Sequence, residues 1–245
     1  MLSDWSKISE PPHLSSDEVH VWAVPLSVQE ATTDEYKAML SSDDCDRAAR
    51  FKSAEACRRF VVSRAALQTL LGRYLKKSPR DVNFTTDSNG KPRLYGESAT
   101  GLNFNLAHSG EVALIAVSTG CEVGVDIERL REVSHWEEIA QRYFHPAEAE
   151  QIQTVPARLQ RAAFFQCWTR KEAILKALGT GLSHPLSTFQ VPLELHAGTW
   201  IECPAQSAGQ PARCYLQSLT LDSDYTAAVA CLDAERTARS WTFRF

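Results

Sequence analysis

The chain has 245 residues, of which 44% are hydrophobic and 23% are charged, and its formal net charge is -4 at pH 7. This composition is typical of a globular protein with one large or two small domains, and it excludes a disordered chain and a generally basic surface for nucleic acid. No apolar run approaches the roughly 20 residues that span a bilayer, so we expect a cytoplasmic protein without nucleic-acid or membrane partners.

The first predicted elements are a strand, one or two short helices and a long helix. The apolar run His20–Leu26 is of strand type, and the polar stretch Thr32–Arg50 favours short charged helices. Ser53 is a good N-cap, and apolar residues recur after it at helical spacing until Pro79 prevents continuation. This pattern predicts a helix that packs one face on a core.

A hairpin and three further strands are predicted next. Asn89-Gly90 separates two short extended runs, and this dipeptide is typical of a tight hairpin turn. Glycine-containing turns then separate three runs that we interpret as neighbouring strands. They are Leu102–Ala107, Val112–Ser118 and Val123–Glu128.

The second part of the chain starts with helices and continues with strands. Trp136–Val155 is helical in pattern, with Pro146 suited to a first helical turn, and a long helix is predicted from Ala157 to Leu178, ending at Gly179. The later strand-like runs are Trp200–Cys203, Cys214–Leu221 and Thr226–Leu232. Seven scattered cysteines without a C-x-x-C spacing argue against a zinc site, and we expect free thiols.

A weak internal repeat relates the two parts. The helix around Phe60 resembles Phe165–Gly179 in apolar rhythm and terminal glycine, and Val112–Val117 resembles Thr226–Cys231. We therefore predict an α+β fold with a pseudo-twofold arrangement of two similar subdomains, each a small, mainly antiparallel sheet with a long helix. The predicted halves are residues 1–120 and 121–245, with functional groups along their seam.

Two acidic residues stand in the predicted strand Gly124-Val125-Asp126-Ile127-Glu128. Asp126 and Glu128 are two positions apart, so their side chains point to the same face of a strand. A divalent cation bound there would turn two repelling anions into ligands. The alternative is a strand end with two solvated acids.

The long second helix carries Trp168, Glu172 and Lys176 on one stripe. An ordinary surface pair of Glu172 and Lys176 would contribute only about 0.2–0.5 kcal/mol. A tryptophan on the same stripe instead indicates a partly enclosed face, where charged groups need a partner or a ligand.

Two turns complete the candidate groups. Asn105-Leu106-Ala107-His108-Ser109-Gly110 ends a strand with an imidazole, a hydroxyl and an unhindered backbone, a combination that can hold phosphate. Gly90-Lys91-Pro92 is a hairpin turn with a lysine. Taken singly, each turn is better explained as an ordinary surface loop, and neither suffices to indicate a site.

Along the chain, the two turns come first, then the strand with Asp126 and Glu128, and last the helix segment Phe164–Leu182. This series closely resembles the surfactin-synthetase-type 4'-phosphopantetheinyl transferases, which are the double-length members of the 4'-phosphopantetheinyl transferase superfamily. The resemblance extends from about Arg47 to Val191. It implies coenzyme A bound in the cleft between two similar halves, with magnesium, or manganese, on its diphosphate. The implied enzyme is a monomer that transfers 4'-phosphopantetheine to a serine of an apo acyl, aryl or peptidyl carrier protein and releases 3',5'-adenosine bisphosphate.

The resemblance also assigns roles by position. The implied metal ligands are Asp126, Glu128 and Glu172. The implied catalytic residues are Glu172, which accepts the serine proton, together with Lys176 and His108. The implied coenzyme contacts are Arg47, Arg59, Lys91, Asn105, His108 and Lys176. Ala107 stands where the family often has serine, which removes one hydroxyl contact.

Two other functions stay open from the residues themselves. A metal-dependent phosphohydrolase would use the same carboxylates with water as the nucleophile, and a binding module would hold coenzyme A or a carrier without turnover. Neither a G-x-x-x-x-G-K-[ST] loop nor a G-x-S-x-G elbow occurs, which disfavours P-loop and α/β-hydrolase chemistry. For an acidic carrier, we expect Arg170 and Lys171 to contribute to docking.

Overall fold

Two β-sheets, each covered by a helix of 22 residues, form the framework of the computed structural model. The structure describes residues 5–181, 184–194, 198–203 and 212–245, so Leu182 of the fourth segment lies outside the described residues. The strands are β1 (Lys7–Ile8), β2 (Glu18–Pro25), β3 (Phe84–Thr86), β4 (Pro92–Leu94), β5 (Leu102–Ser109), β6 (Val112–Thr119), β7 (Val123–Arg129), β8 (Thr199–Cys203), β9 (Ala212–Leu219), β10 (Tyr225–Leu232) and β11 (Thr237–Phe243). The helices are α1 (Glu30–Lys37), α2 (Ser42–Ala49), α3 (Ala54–Leu75), α4 (Trp136–Tyr143), α5 (Pro146–Thr154) and α6 (Ala157–Leu178).

Helix α3 covers the first sheet, and its ends follow the local signals. The Ser53 hydroxyl accepts a hydrogen bond from the Ala56 N–H, and Lys76 adopts a left-handed conformation at the C-terminus. The predicted helix is therefore confirmed. Its apolar face packs on residues of β2 and β6 to form one core, which includes Leu67, Leu70, Leu71, Trp22 and Ile115.

Helix α6 covers the second sheet, whose strand order is β7-β10-β9-β8 and whose pairs are all antiparallel. The helix ends at Gly179, which has a φ of 71°, as predicted. The predicted helical region over 136–155 is two helices, because the chain leaves the helical conformation at Phe144 and restarts at Pro146. These elements share a second core, rich in phenylalanine.

The first sheet differs from the prediction in its membership. Its order is β1-β11-β2-β6-β5, and the unpredicted strand β11 lies between β1 and β2, parallel to both. The expected second half, 121–245, therefore contributes its last strand to the first sheet, which is mixed rather than mainly antiparallel. The α+β class with two sheets and two long helices is confirmed.

The two sheets meet where β5 and β7 lie side by side as edge strands. The predicted strand over 123–128 thus neighbours β5 across a seam instead of continuing the first sheet. Val123, Val125 and Ile127 face a third core that also receives residues of β2 and β6. The side-chain oxygen of Asn105 accepts a hydrogen bond from the Val125 N–H at 2.9 Å and joins the two edges. Among the described residues, no helix is long and apolar enough to cross a membrane.

Candidate active site

A glycine allows strand β7 to touch helix α6. A Cβ atom on Gly124 would lie 2.1 Å from the Ala173 carbonyl oxygen and 2.3 Å from the Ala177 nitrogen. Only a residue without a side chain permits this approach. Because side chains alternate along a strand, Asp126 and Glu128 share the face of Gly124 and point towards the helix.

On the facing side of α6, Glu172 and Lys176 lie one turn apart, as predicted from their spacing. The Lys176 ammonium is 2.5 Å from Asp126 Oδ1. Burial raises the pKa of Asp126 to about 7; the attraction of Lys176 opposes this shift, and Glu128 and Glu172 add to it. Burial also raises the pKa of Glu172, with a further contribution from Glu128. The charges of Glu128 and Glu172 therefore act on Asp126 across the gap between strand and helix.

Glu128 is held from the first half of the chain. The Ser109 hydroxyl donates a hydrogen bond to Glu128 Oε2 at 2.8 Å, and its own oxygen, Ser109 Oγ, accepts one from the Arg129 N–H at 3.0 Å. Ser109 ends β5, so this contact adds a second tie across the seam, beside that of Asn105.

The carboxylates fit a cation that is completed by other ligands. Among the residues that the structure describes, no group of three or more His, Cys, Asp or Glu side chains is arranged to hold a metal ion by itself. However, Asp126 Oδ2 and Glu172 Oε1 are buried and have no hydrogen-bond partner. Magnesium typically takes one or two carboxylates together with water and substrate phosphate oxygens. The donor set is therefore suited to magnesium once a phosphate ligand contributes to the coordination.

A cavity of about 220 Å³ lies between helix α3 and strand β5. Its lining includes Arg47, Phe60, Arg64, Phe104, Asn105 and His108. The Arg47 guanidinium lies 5.2 Å from the centre of the Phe60 ring, and Arg64 is paired with Asp44. Aromatic and cationic walls of this kind suit a planar ring that carries phosphate.

His108 points to this cavity and remains exposed at its edge. Desolvation by the surrounding cleft lowers the pKa of His108, and the nearby cations Lys176 and Arg59 lower it further. Arg59 itself binds the Glu111 carboxylate with Nε at 2.9 Å, and it also pairs with Glu55. Its guanidinium is thus shared between two acids at the rim of the site.

The ammonium of Lys91 is bound by the protein itself, although the next residue, Pro92, lines the cavity beside α3. The Lys91 side chain is buried, and its ammonium pairs with Glu122 Oε2 at 2.8 Å and donates to main-chain oxygens of Val123 and Lys176. It is not among the residues that line the cavity next to α3. The predicted contact of this side chain with the coenzyme stays a prediction, and the contacts described for its ammonium are all with the protein.

The predicted docking role of Arg170 and Lys171 is wrong, because both side chains are buried. Lys171 forms an ion pair with Glu148 at 2.8 Å, and neither side chain of this pair is exposed. Arg170 donates to the Pro192 oxygen and to other groups inside the second half. Ala107 is also buried, in the core between the sheets, so its side chain does not reach the cavity of His108.

Sequence reasoning missed three contributors to the site. Arg64 lies on the same helical face as Phe60 and Leu67, and the i, i+4, i+7 spacing would have indicated it. Ser109 was expected only as a hydroxyl of a phosphate-holding turn, and its hydrogen bond to Glu128 had no signal in the sequence. Glu122, which binds Lys91, gave no local signal, because its partners are distant in sequence.

Comparisons with known proteins identify the family of the chain. A family model described as 4'-phosphopantetheinyl transferase superfamily matches residues 122–230, and one described as 4'-phosphopantetheinyl transferase, N-terminal, matches residues 28–120. The 4'-phosphopantetheinyl transferase HetI of Nostoc sp. is 41% identical over 226 residues, which cover 91% of this chain and 92% of that relative. The 4'-phosphopantetheinyl transferase Sfp of Bacillus subtilis is 28% identical over 205 residues, with 84% and 87% covered.

Among solved structures, the holo-[acyl-carrier-protein] synthase of Thermotoga maritima matches 46% of this chain and 63% of its own length. The identity is 22% and the TM-score is 0.31.

Proposed function

Because the chain belongs to the 4'-phosphopantetheinyl transferase superfamily, we propose that it transfers the 4'-phosphopantetheine group of coenzyme A to a serine of an apo acyl, aryl or peptidyl carrier protein. The second product is 3',5'-adenosine bisphosphate, and the reaction depends on magnesium. That the chain is an enzyme of this family follows from its relatives. The substrates, the metal and the second product are our proposal.

The observation that carries the proposal is the meeting of β7 and α6. Burial and the charge of Glu128 raise the pKa of both Asp126 and Glu172 there, and Asp126 and Glu172 each have a buried oxygen without a hydrogen-bond partner. Such an arrangement is costly unless a cation or a proton is bound. Magnesium, when bound, would neutralise the charge of the diphosphate oxygens, with Asp126, Glu128 and Glu172 as its protein ligands.

The chain's own groups account for the remaining chemistry. The carrier serine attacks the β-phosphorus of coenzyme A, the bond to the bridging oxygen breaks, and adenosine bisphosphate leaves. The Lys176 ammonium neutralises charge that accumulates on the phosphate oxygens. Glu172 accepts the serine proton, and its raised pKa brings it closer to that of an effective base at neutral pH.

The cavity beside α3 is the proposed site for the adenosine part of coenzyme A. Arg47 and His108 would bind the 3'-phosphate, and the Phe60 and Phe104 rings would contact the base. Arg59 and Asn105 would support this site from its rim and floor. A cytoplasmic location belongs to the same proposal, and all seven cysteines are free thiols, as a reducing compartment would keep them.

The test is a loading assay. The protein is incubated with coenzyme A, magnesium and several apo carriers, and mass spectrometry detects the added phosphopantetheine. We expect loading that a chelator abolishes and that added magnesium restores, with adenosine bisphosphate as the second product. Failure to load any of a broad set of acyl, aryl and peptidyl carriers would contradict the proposal.

A variant and its control sharpen the assay. Glu172→Gln should lower loading by about 10²-fold or more, in line with the loss of a general base. Glu138→Gln changes an exposed acid of α4 that contacts only His135 and should load normally. Undiminished loading by Glu172→Gln would refute the role of this carboxylate. Cleavage of coenzyme A in the absence of a carrier, at a comparable rate, would instead favour a phosphohydrolase.

A further inference from the structure

Lys91 makes one of the most extensive sets of contacts of any cation in the described part of the chain. Its ammonium donates to the main-chain oxygens of Lys176 at 2.7 Å, Val123 at 3.1 Å and Ala177 at 3.4 Å. It also forms an ion pair with Glu122 at 2.8 Å. The residue is 8% exposed, so its charge is removed from water and held by four protein acceptors.

The Lys91 ammonium lies at the C-terminal end of α6, where a positive charge is favourable. The last carbonyl groups of a helix have no intrahelical partner and carry a partial negative charge. Lys176 and Ala177 lie in the last turn of α6, and the ammonium binds both of their oxygens. Lys91 therefore caps the catalytic helix from a different half of the chain.

The hairpin that carries Lys91 is itself held firmly. Asp87 Oδ1 accepts hydrogen bonds from the N–H groups of Asn89 and Lys91, which fixes the turn. Arg93, on the other strand of the hairpin, pairs with both Asp87 and Glu122. The hairpin thus binds Glu122, in the turn before β7, through the side chains of Lys91 and Arg93.

Lys176 and Asp126, which form an ion pair in the active site, are both positioned by contacts of Lys91. Lys176 contributes its backbone oxygen to Lys91 and its own ammonium to Asp126. Val123, whose oxygen Lys91 also binds, precedes Asp126 by three residues on β7. The ammonium of Lys91 therefore holds the end of α6 and the start of β7 in a fixed relation.

From these contacts we propose that Lys91 is a positioning residue, which aligns Lys176 and Asp126 through their main chains and does not touch coenzyme A. The inference rests on the proposed transferase function and adds a residue that acts on the turnover step. A side chain with four protein acceptors has no free proton for a phosphate, which separates this role from direct substrate binding.

The experiment compares kcat and the KM for coenzyme A in the loading assay. Lys91→Met should lower kcat by about tenfold or more and leave the KM within about twofold, because a small displacement of a catalytic group is costly to turnover. Lys91→Arg keeps a cation with several donors and should recover part of the loss. A raised KM with an unchanged kcat would overturn the proposal in favour of a direct contact with coenzyme A.

A matched control separates positioning from general stability. Arg73 is also a largely buried cation that donates to main-chain oxygens of distant segments, those of Ser9 and Arg244, but it does not contact α6. Arg73→Met should lower the unfolding temperature and leave kcat unchanged when measured well below that temperature. An equal kcat loss in Arg73→Met and Lys91→Met would overturn the proposal.

A double-mutant cycle tests the route through Lys176. In a Lys176→Ala background, Lys91→Met should cause a much smaller additional loss of kcat than it causes in the wild type. Fully multiplicative losses would contradict action through Lys176. If Lys91→Met does not fold, Glu122→Gln is used instead, because it weakens the ion pair of Lys91 and keeps its main-chain hydrogen bonds. This variant should also lower kcat and leave the KM for coenzyme A nearly unchanged. An unchanged kcat would overturn the proposal. Loading by the wild type tests the transferase function itself, so a failure there is distinguishable from a failure of this inference.

Discussion

The Asn105 side chain accepts a hydrogen bond from the Val125 N–H at 2.9 Å, and this bond joins the edge strand of one sheet to the edge strand of the other. Asn105→Ala should lower the free energy of unfolding by about 1–3 kcal/mol, because a buried N–H loses its acceptor. Urea denaturation measures this change without coenzyme A present.

Asn103 provides the control for this substitution. It lies on the same strand and donates only to the Gly101 oxygen of its own segment. Asn103→Ala should cost about 0.5–1.5 kcal/mol, the ordinary value of a single hydrogen bond. Equal losses of unfolding free energy in the two variants would show that the hydrogen bond across the seam contributes no more than an ordinary one.

Gly124→Ala should disrupt both stability and catalysis. The added methyl group would lie about 2.1 Å from a backbone oxygen of α6, so the helix must move away from β7. We expect a loss of about 3 kcal/mol in unfolding free energy and about 10²-fold in kcat. Gly96→Ala tests the conformational cost alone, because that glycine has a φ of 76° and open space around it. It should cost about 1–2 kcal/mol with normal kcat.

Ser109→Ala should act mainly on turnover. The variant loses the hydrogen bond to Glu128, and a bond to a charged group contributes about 1.5–3 kcal/mol, so a kcat loss of at least roughly tenfold follows if it forms in the transition state. Ser118→Ala removes a comparable buried hydroxyl, which donates to the Cys121 oxygen away from the carboxylates. That variant should lose stability and keep its kcat; a similar kcat in both variants would exclude a role for Ser109.

Stability should depend on pH through His20, which is buried and hydrogen-bonded to Tyr74 at 2.7 Å. Burial lowers the pKa of His20. The contact with Glu18 opposes this shift, and the charges of Arg239 and His13 add to it. The folded state therefore resists protonation. The stability from neutral His20 is complete above pH 6.5 and falls by up to about 1.4 kcal/mol per pH unit below it, until the folded pKa is reached.

The measurement is urea denaturation of the wild type and of His20→Asn at pH 7.5, 6.5 and 5.5. The variant should be less stable at pH 7.5, and the difference should shrink towards pH 5.5. Parallel stability curves for the two proteins would contradict the assignment to His20.

Local signals predicted the parts of the fold that local contacts stabilise. The ends of α3 and α6 depend on a cap at Ser53 and a left-handed glycine at Gly179, both visible within a few residues. The pairing of Asp126 and Glu128 on one face follows from the period of a strand. These features do not need knowledge of distant partners.

The remaining features depend on contacts that are remote in sequence. Strand β11 is half exposed along much of its length, and its partner β2 lies more than 200 residues earlier. Lys171 has the appearance of a surface lysine until Glu148 is seen to be buried beside it. Lys91 occupies a turn typical of surface loops, yet its acceptors are 31 to 86 residues away.

The return of β11 to the first sheet has a consequence for how the polypeptide matures. Until β11 has left the ribosome, β2 lacks one neighbour, and the backbone groups on that side of β2, from Glu18 to Ala23, stay open to other chains. The first sheet is thus begun early in translation and completed only after the strands of the second sheet have been made. Termination near residue 235 would leave β2 with an unpaired, aggregation-prone edge, and a fusion placed directly after β11 would have to leave Phe243 free to pack in its core.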